Sequence, residues 1–342
     1  MVTICRFGGE FGWGHLTRCS ALNAEAKERG WTTKLVTSSD LSKVPLEFER
    51  AFDCIQNVDD IDRLDSYARQ MEASSVLVDD LYLPQSFFDS LRREWVEKGE
   101  AVIVAIDDLR ERSLRSVDIA INSELGLRCG GYEASKSLVG EAYAPIRKGF
   151  GEAQPYSFPR SVNRLPGFIM VGATDPRGIT LEALRALGEM SQYEFAPIVV
   201  SGDGSRKNEI AEFLESSFSE YKYLQKLDGP AVASWIATSR FAIIACGSSV
   251  YELAAMGKPF LGVVVVENQR RLGAMIESLW RVPVVADGSQ EGLVERVADG
   301  LSQLLTHVET QAGPSFSGID LKGAERVFDE IEKSVDSREK GP

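Results

Sequence analysis

The chain has 342 residues, 44% of them hydrophobic and 26% charged, which suits two folded domains better than one. A net charge of −13 argues against a broad basic footprint for nucleic acid or anionic lipid and leaves room only for a local basic pocket. The cysteines, Cys5, Cys19, Cys54, Cys129 and Cys246, are scattered without a CxxC pair, so reduced thiols are expected rather than a zinc site or a disulfide framework. The opening MVTICRFGG has no basic n-region or long apolar core, and no apolar run approaches membrane-span length. A soluble cytoplasmic protein without stable membrane insertion is expected.

In chain order, Val2–Phe7 reads as a strand and Leu16–Arg29 as a helix with Leu16, Cys19, Leu22 and Ala26 on one face. Strands follow at Thr33–Thr37 and Ser75–Val78, then a helix through Phe87–Lys98, then strands at Ala101–Ile106 and Asp118–Asn122. Residues Gly151–Pro166 hold three prolines and no periodicity, and read as a linker. Beyond it come strands at Phe168–Val171 and Pro197–Ser201, with the helix Thr180–Met190 between them. Lys207–Phe218 and Pro230–Ser239 read as helices. Phe241–Cys246 and Phe260–Val266 read as strands flanking the helix Ser249–Met256. Gly323–Val335 is a last amphipathic helix. The alternation predicts α/β architecture with parallel sheets and covered faces. The expected division is a first Rossmann-like domain at 1–150, a linker at 151–166 and a nucleotide-binding Rossmann-like domain at 167–320. The helix and tail at 321–342 are free to pack on the first domain. Two such domains predict a ligand in the cleft between them, at strand carboxyl ends.

The stretch GGEFGWGHLTRCSAL, residues 8–22, puts four glycines in seven residues directly after the first strand. It is neither a P-loop nor GxGxxG, so Gly12 and Gly14 mark only a tight turn with room beside it. His15 falls at the start of the helix, where the positive end of the dipole favours the neutral imidazole that a general base needs. Arg18 follows one turn on, on roughly the same face. A packing histidine and a solvated arginine are the plainer reading; the glycine-rich setting at a strand end favours function.

A second stretch, FAIIACGSSVYELAAMGKPFLGVVV, reads strand, tight turn, helix, strand. Gly247, Ser248 and Ser249 at the helix N-terminus suit a diphosphate. Glu252 either closes a capping box with Ser249 or accepts from ribose hydroxyls. Asn268 and Gln269 follow the next strand, where amides reach a sugar or are ordinary loop residues. Asp79–Asp80 and Asp107–Asp108 close their strands; they orient His15, hold a sugar, or serve turn chemistry, and a metal is not expected. His307 reads as a surface residue.

GWGHLTRCSALNAEAKERG resembles the GxGHxxRCxxLAxxLxxxG start of the PseG family of nucleotide-sugar hydrolases and its SpsG relatives. VIVAIDDLRERSLRSVDIAIN resembles that family's IDDLxxRxxxxDxxxN, and LVGEAYAPIRKGF its GPxYxxLRxxF. FIMVGATDPRGIT resembles GGSDxxxxT, and IDLKGAERV resembles DGxGxxRV. CGSSVYELAAMGKPFLGVVVVENQ resembles GGSTxxExxxxGxPxxxxxxxxNQ. The matches run in order from about residue 8 to residue 327. The resemblance implies a GT-B architecture like that of MurG-type glycosyltransferases. It implies a catalytic histidine at His15; beside it Arg18, which assists a phosphate or locks the loop, and Asp79 are the other catalytic candidates. It further implies that Gly247–Ser249 hold the diphosphate, Glu252 the ribose, and Asn268 and Gln269 the sugar-phosphate end. Gly12, Gly14, Asp107, Asp108, Tyr143, Gly172, Thr174 and Asp175 stand in the matched segments as substrate-binding candidates. The implied reaction is displacement of UDP by water, with inversion, from UDP-2,4-diacetamido-2,4,6-trideoxy-β-L-altrose, a step of pseudaminic acid biosynthesis, with no cofactor. The chain departs from the family where DHYxLD is Asp79-Asp80-Leu81-Tyr82-Leu83-Pro84, where GGSD is Gly172-Ala173-Thr174-Asp175, and where LR is Ile146-Arg147. A glycosyltransferase using the same donor site and a non-catalytic nucleotide-sugar-binding protein are the rival readings.

Overall fold

The computed structural model describes residues 1–8, 11–44, 46–59, 73–96, 101–158, 164–172, 175, 177–201, 206–225, 227–288, 291–309 and 314–339. The chain divides into two compact units, Met1–Arg147 with Asp320–Pro342, and Lys148–Ile319.

Unit 1 carries a seven-stranded parallel sheet. Its strands are Val2–Cys5 (β1), Lys34–Thr37 (β2), Cys54–Asn57 (β3), Ser75–Asp79 (β4), Val102–Ile106 (β5), Ile119–Asn122 (β6) and Lys136–Val139 (β7). Among the described residues, the helices between them are Gly14–Glu28 (α1), the short Leu46–Glu49 (α2) and Gln85–Val96 (α3). The spatial order is β3-β2-β1-β4-β5-β6-β7. β1, β4 and β5 are buried at every residue, as parallel strands covered on both faces must be.

Unit 2 carries a six-stranded parallel sheet of Arg164–Met170 (β8), Glu194–Ser201 (β9), Lys222–Gln225 (β10), Phe241–Ala245 (β11), Phe260–Val263 (β12) and Val284–Val285 (β13). Its helices are Ile179–Glu189 (α4), Lys207–Ser217 (α5), Gly229–Thr238 (α6), Ser249–Ala255 (α7), Arg270–Trp280 (α8) and Leu293–Glu309 (α9). The order is β10-β9-β8-β11-β12-β13.

β8 takes in residues 164–166, which the sequence assigns to the linker. Pro166 lacks an N–H, but β11 joins β8 only from Gly167 onward, so at Pro166 the strand has β9 as its one ladder partner. Within unit 2, Tyr156, which the sequence assigns to the linker, donates its N–H to Thr238 Oγ1 (2.8 Å) and packs its ring on Trp235.

The last helix, Gly323–Glu339 (α10), returns to unit 1. Val327, Phe328 and Ile331 share a buried cluster with Leu16, Cys19, Leu22 and Ala26 of α1 and with alternate residues of the sheet, Leu77, Val104 and Ile106 among them. The intervening sheet residues, Val76, Val78, Ile103 and Ala105, face the other way and bury Phe88 and Leu91 of α3. Arg29 clamps α10 through Asp329 (2.7 Å) and Glu332 (2.6 Å).

Both sheets reverse their winding direction between two central strands. In unit 1 the reversal lies between β1 and β4, and in unit 2 between β8 and β11. The loops leaving those strands diverge and open a crevice at the carboxyl ends. The glycine stretch follows β1, Asp79 ends β4, Gly172 follows β8, and Gly247–Ser249 follow β11.

Candidate functional site

In unit 1 the loop after β1 closes on itself. Gly8 N–H donates to the Gly12 carbonyl (2.8 Å), and Phe11 N–H to the Gly8 carbonyl (2.9 Å). Gly12 sits at φ +69°, a conformation that favours glycine. Gly14 opens α1, two residues earlier than the apolar spacing predicts, and His15 lies in the first turn.

His15 Nδ1 lies 2.8 Å from Asp79 Oδ1. Arg18 forks onto the same carboxylate, Nε to Oδ2 and Nη2 to Oδ1, both at 2.6 Å, and its Nη1 reaches Asp108 Oδ2 at 2.7 Å. Asp79 is wholly buried as the last residue of β4. Burial alone would raise its carboxyl; Arg18 and His15 outweigh that and hold it well below the usual carboxylate range. Burial likewise opposes the Arg18 charge, yet Asp108 and Asp79 keep its guanidinium well above its ordinary value. The ionised Asp79 accepts a hydrogen bond from Nδ1–H, which leaves Nε2 of His15 as the acceptor, the tautomer a general base uses; Arg18 Nη2 stands 3.1 Å from the same Nδ1. Among the described residues Nε2 has no hydrogen-bond partner. His15, Arg18 and Asp79 therefore come together, with Asp108 beside them.

Asp107 is turned inward: Oδ1 accepts from Arg112 Nη2 (2.7 Å) and Nε (3.1 Å), and Oδ2 from the Arg110 N–H (3.0 Å). Arg112 also donates to the carbonyls of Asp80 (2.9 Å) and Leu83 (3.1 Å), tying together the loops that follow β4 and β5. It was not among the expected site residues, although it is the arginine of the IDDLxxR segment. Asp80 is held by Arg6. Tyr143 packs against the α1–α10 core cluster.

Among the described residues, Cys5, Cys19 and Asp79 offer metal-type ligand atoms within 4.8 Å of one another. This donor set suits a cation poorly. Burial pushes both thiols up, and a metal needs thiolates. The Asp79 oxygens are already engaged by Arg18 and His15.

In unit 2, α7 starts from Ser248 as its N-cap, which makes no side-chain cap bond. The Ser249–Glu252 capping box is not formed, because Ser249 is already the first helical residue. Among the described residues the Ser248 and Ser249 N–H groups have no acceptor. Glu252 is 4% exposed. Gln269 accepts from the Val265 N–H (2.9 Å) through Oε1, and its Nε2 lies against Gly247. Asn268 is exposed beside it. Asp175 caps α4, accepting from the Ile179 and Thr180 N–H groups at 2.8 Å each. Gly172 follows β8 at φ +76°. Thr174 lies outside the described residues. His307 falls within α9. The structure thus brings Gly247 and Gln269 together and spends Asp175 on a helix end.

A cavity of about 200 Å³ lies beyond the Gln269 turn, lined by Val264, Arg270, Ala274, Glu277, Val284 and Ala286. None of these was expected. The spacing 270, 274, 277 on one helix face is the signal that was there to read.

No protein-family profile matches the chain, and no curated protein matches it in sequence. Solved structures do. MurG of Acinetobacter baumannii superposes with a TM-score of 0.65 at 12% identity, over 97% of this chain and 99% of that one. S. aureus MnaA in complex with UDP gives 0.63 at 13% identity, over 98% and 97%. UDP-GlcNAc 2-epimerase from Neisseria meningitidis bound to UDP-GlcNAc gives 0.63 at 12%, over 97% and 100%. Together with the two parallel sheets, these similarities show that the chain has a GT-B-like fold of two Rossmann-like units.

Proposed function

We propose that the chain hydrolyses a nucleotide diphosphate sugar, releasing UDP and a free amino sugar. The observation that carries the reading is the His15–Asp79–Arg18 cluster at the switch point of unit 1. Its buried carboxylate fixes the imidazole and leaves Nε2 to take a proton. The motif resemblance to the nucleotide-sugar hydrolases supports the substrate class, as do the UDP and UDP-GlcNAc bound in two proteins of similar fold.

In the proposed reaction a water oxygen attacks the anomeric carbon as its proton passes to His15 Nε2. The bond from that carbon to the diphosphate oxygen breaks, and the electron pair leaves with UDP. Attack opposite the leaving group inverts the anomeric centre. The N–H groups of Ser248 and Ser249 stabilise the charge growing on the diphosphate. Glu252 takes the ribose, and Asn268 and Gln269 take the sugar-phosphate end. Arg18 is a positioning residue here, because its donors are spent on Asp79 and Asp108. No cofactor is needed. The five free cysteines, two of them exposed, suit a reducing compartment, and we place the reaction in the cytoplasm.

His15→Ala tests this directly. UDP release from the best UDP-sugar is expected to fall by about 10²-fold or more, with the UDP dissociation constant unchanged. Undiminished release would remove His15 from the mechanism.

A further inference from the structure

Three arginines stand at the carboxyl ends of the unit 1 strands, and each is paired with aspartate: Arg6 with Asp80, Arg18 with Asp79 and Asp108, Arg112 with Asp107. Cations neutralised in this way do not attract a phosphate. The same face nonetheless displays a large ring. Tyr82, three residues beyond Asp79, is 70% exposed.

That ring is braced. It meets Phe11 of the glycine loop edge-on, with centroids 5.6 Å apart and planes at 76°. The Arg6 guanidinium lies 4.6 Å from the Phe11 centroid and 5.7 Å from that of Tyr82. The Tyr82 N–H donates to Asp80 Oδ1 (2.9 Å), and Arg6 holds the same carboxylate. One ion pair therefore steadies two rings from two loops. Those loops adjoin His15 in the first turn of α1, four residues after Phe11, and Asp79 at the end of β4. Trp13 behaves differently, turning inward to stack on Phe48.

We propose that the exposed face of Tyr82 stacks on the pyranose ring of the substrate and sets which sugar is accepted. The inference rests on the nucleotide-sugar reading for the class of ligand. The polarised C–H bonds of a pyranose sit well on the negative face of an aromatic ring, and each missing hydroxyl leaves more C–H surface to cover it. A neutral, deoxygenated amino sugar suits a wall with a ring and neutralised charges. A charged or fully hydroxylated sugar suits it less.

The test is calorimetry of UDP and a panel of non-hydrolysable UDP-hexose phosphonates. The panel spans glucose, N-acetylglucosamine and 6-deoxy diacetamido sugars, and the proteins are the full chain, Tyr82→Phe and Tyr82→Ala. In the unsubstituted chain the best UDP-sugar analogue is expected to bind more tightly than UDP. Tyr82→Ala is expected to weaken that analogue about five- to tenfold while UDP binds as before, and Tyr82→Phe is expected to retain the affinity. Equal binding by Tyr82→Ala and the unsubstituted chain overturns the inference. So does a loss in Tyr82→Phe equal to that in Tyr82→Ala, which would assign the effect to the hydroxyl. An unsubstituted chain that binds every analogue no better than UDP also overturns it. Failure to bind UDP at all would instead remove the nucleotide-sugar reading, and this inference with it. Stacking without turnover of the natural phosphates would remove hydrolysis alone.

Discussion

Arg18 reaches three carboxylate oxygens from one turn beyond His15, and Asp79 is where its fork and the imidazole meet. A buried pair of this kind contributes little net stability when intact but is costly to break, because the surviving charge is left unpaired. Asp79→Asn removes the charge that compensates Arg18. It is expected to lower the unfolding free energy by about 3–5 kcal/mol, read from urea denaturation, and to slow turnover by freeing the imidazole. The pH dependence follows from the same cluster. The folded carboxyl releases its proton more readily than the unfolded one, so its contribution is fully present above the usual carboxylate range, about pH 4. That contribution fades as the pH falls below this range toward the depressed folded value. Denaturation midpoints of the unsubstituted chain should therefore fall on acidification below about pH 4, and Asp79→Asn should lose that component of the slope. An identical acid slope in both proteins would show that Asp79 carries no such linkage.

The elements that position the site are the ones most legible in the sequence. β1, β4, β5 and β11 are short apolar runs, and Leu16, Cys19, Leu22 and Ala26 of α1 are all fully buried, as their spacing predicts. The edge strands were not legible. Cys54–Asn57, Lys136–Val139 and Lys222–Gln225 are half-exposed and polar, because an edge strand has one neighbour and no need of an apolar run. The α8 and α9 segments were passed over although Leu293, Val297, Leu301 and Leu304 recur at helical spacing and are buried. At α10 the decisive residue is Gly323. A Cβ there would stand 2.0 Å from the Ala144 carbonyl oxygen, so the helix cannot approach unit 1 with any larger residue in place. Gly323→Ala is expected to destabilise the protein by about 1–3 kcal/mol, seen as a lower thermal midpoint. An unchanged midpoint would mean the helix start shifts without cost.

At the scale of the whole molecule, alternation of strands and helices sufficed for two parallel α/β units, and the switch points explain why the motif residues fall where they do. What the sequence hid was pairing. Nothing in IDDLRER shows that Arg112 turns back on Asp107, or that Arg6 crosses to Asp80, since each partnership depends on which strands lie side by side. Nor does GATD show that Asp175 accepts from the N–H groups that open α4. The exposed Tyr82 was hidden for the opposite reason, because exposure leaves no trace in periodicity.

The measurement that bears most directly on nucleotide-sugar hydrolysis is UDP release from a panel of UDP-sugars in ¹⁸O-labelled water, without any acceptor. The account predicts that one substrate yields UDP together with a free, inverted sugar carrying the label at its anomeric oxygen. UDP that binds while no sugar is released, or label found on the phosphate instead of the sugar, would contradict it.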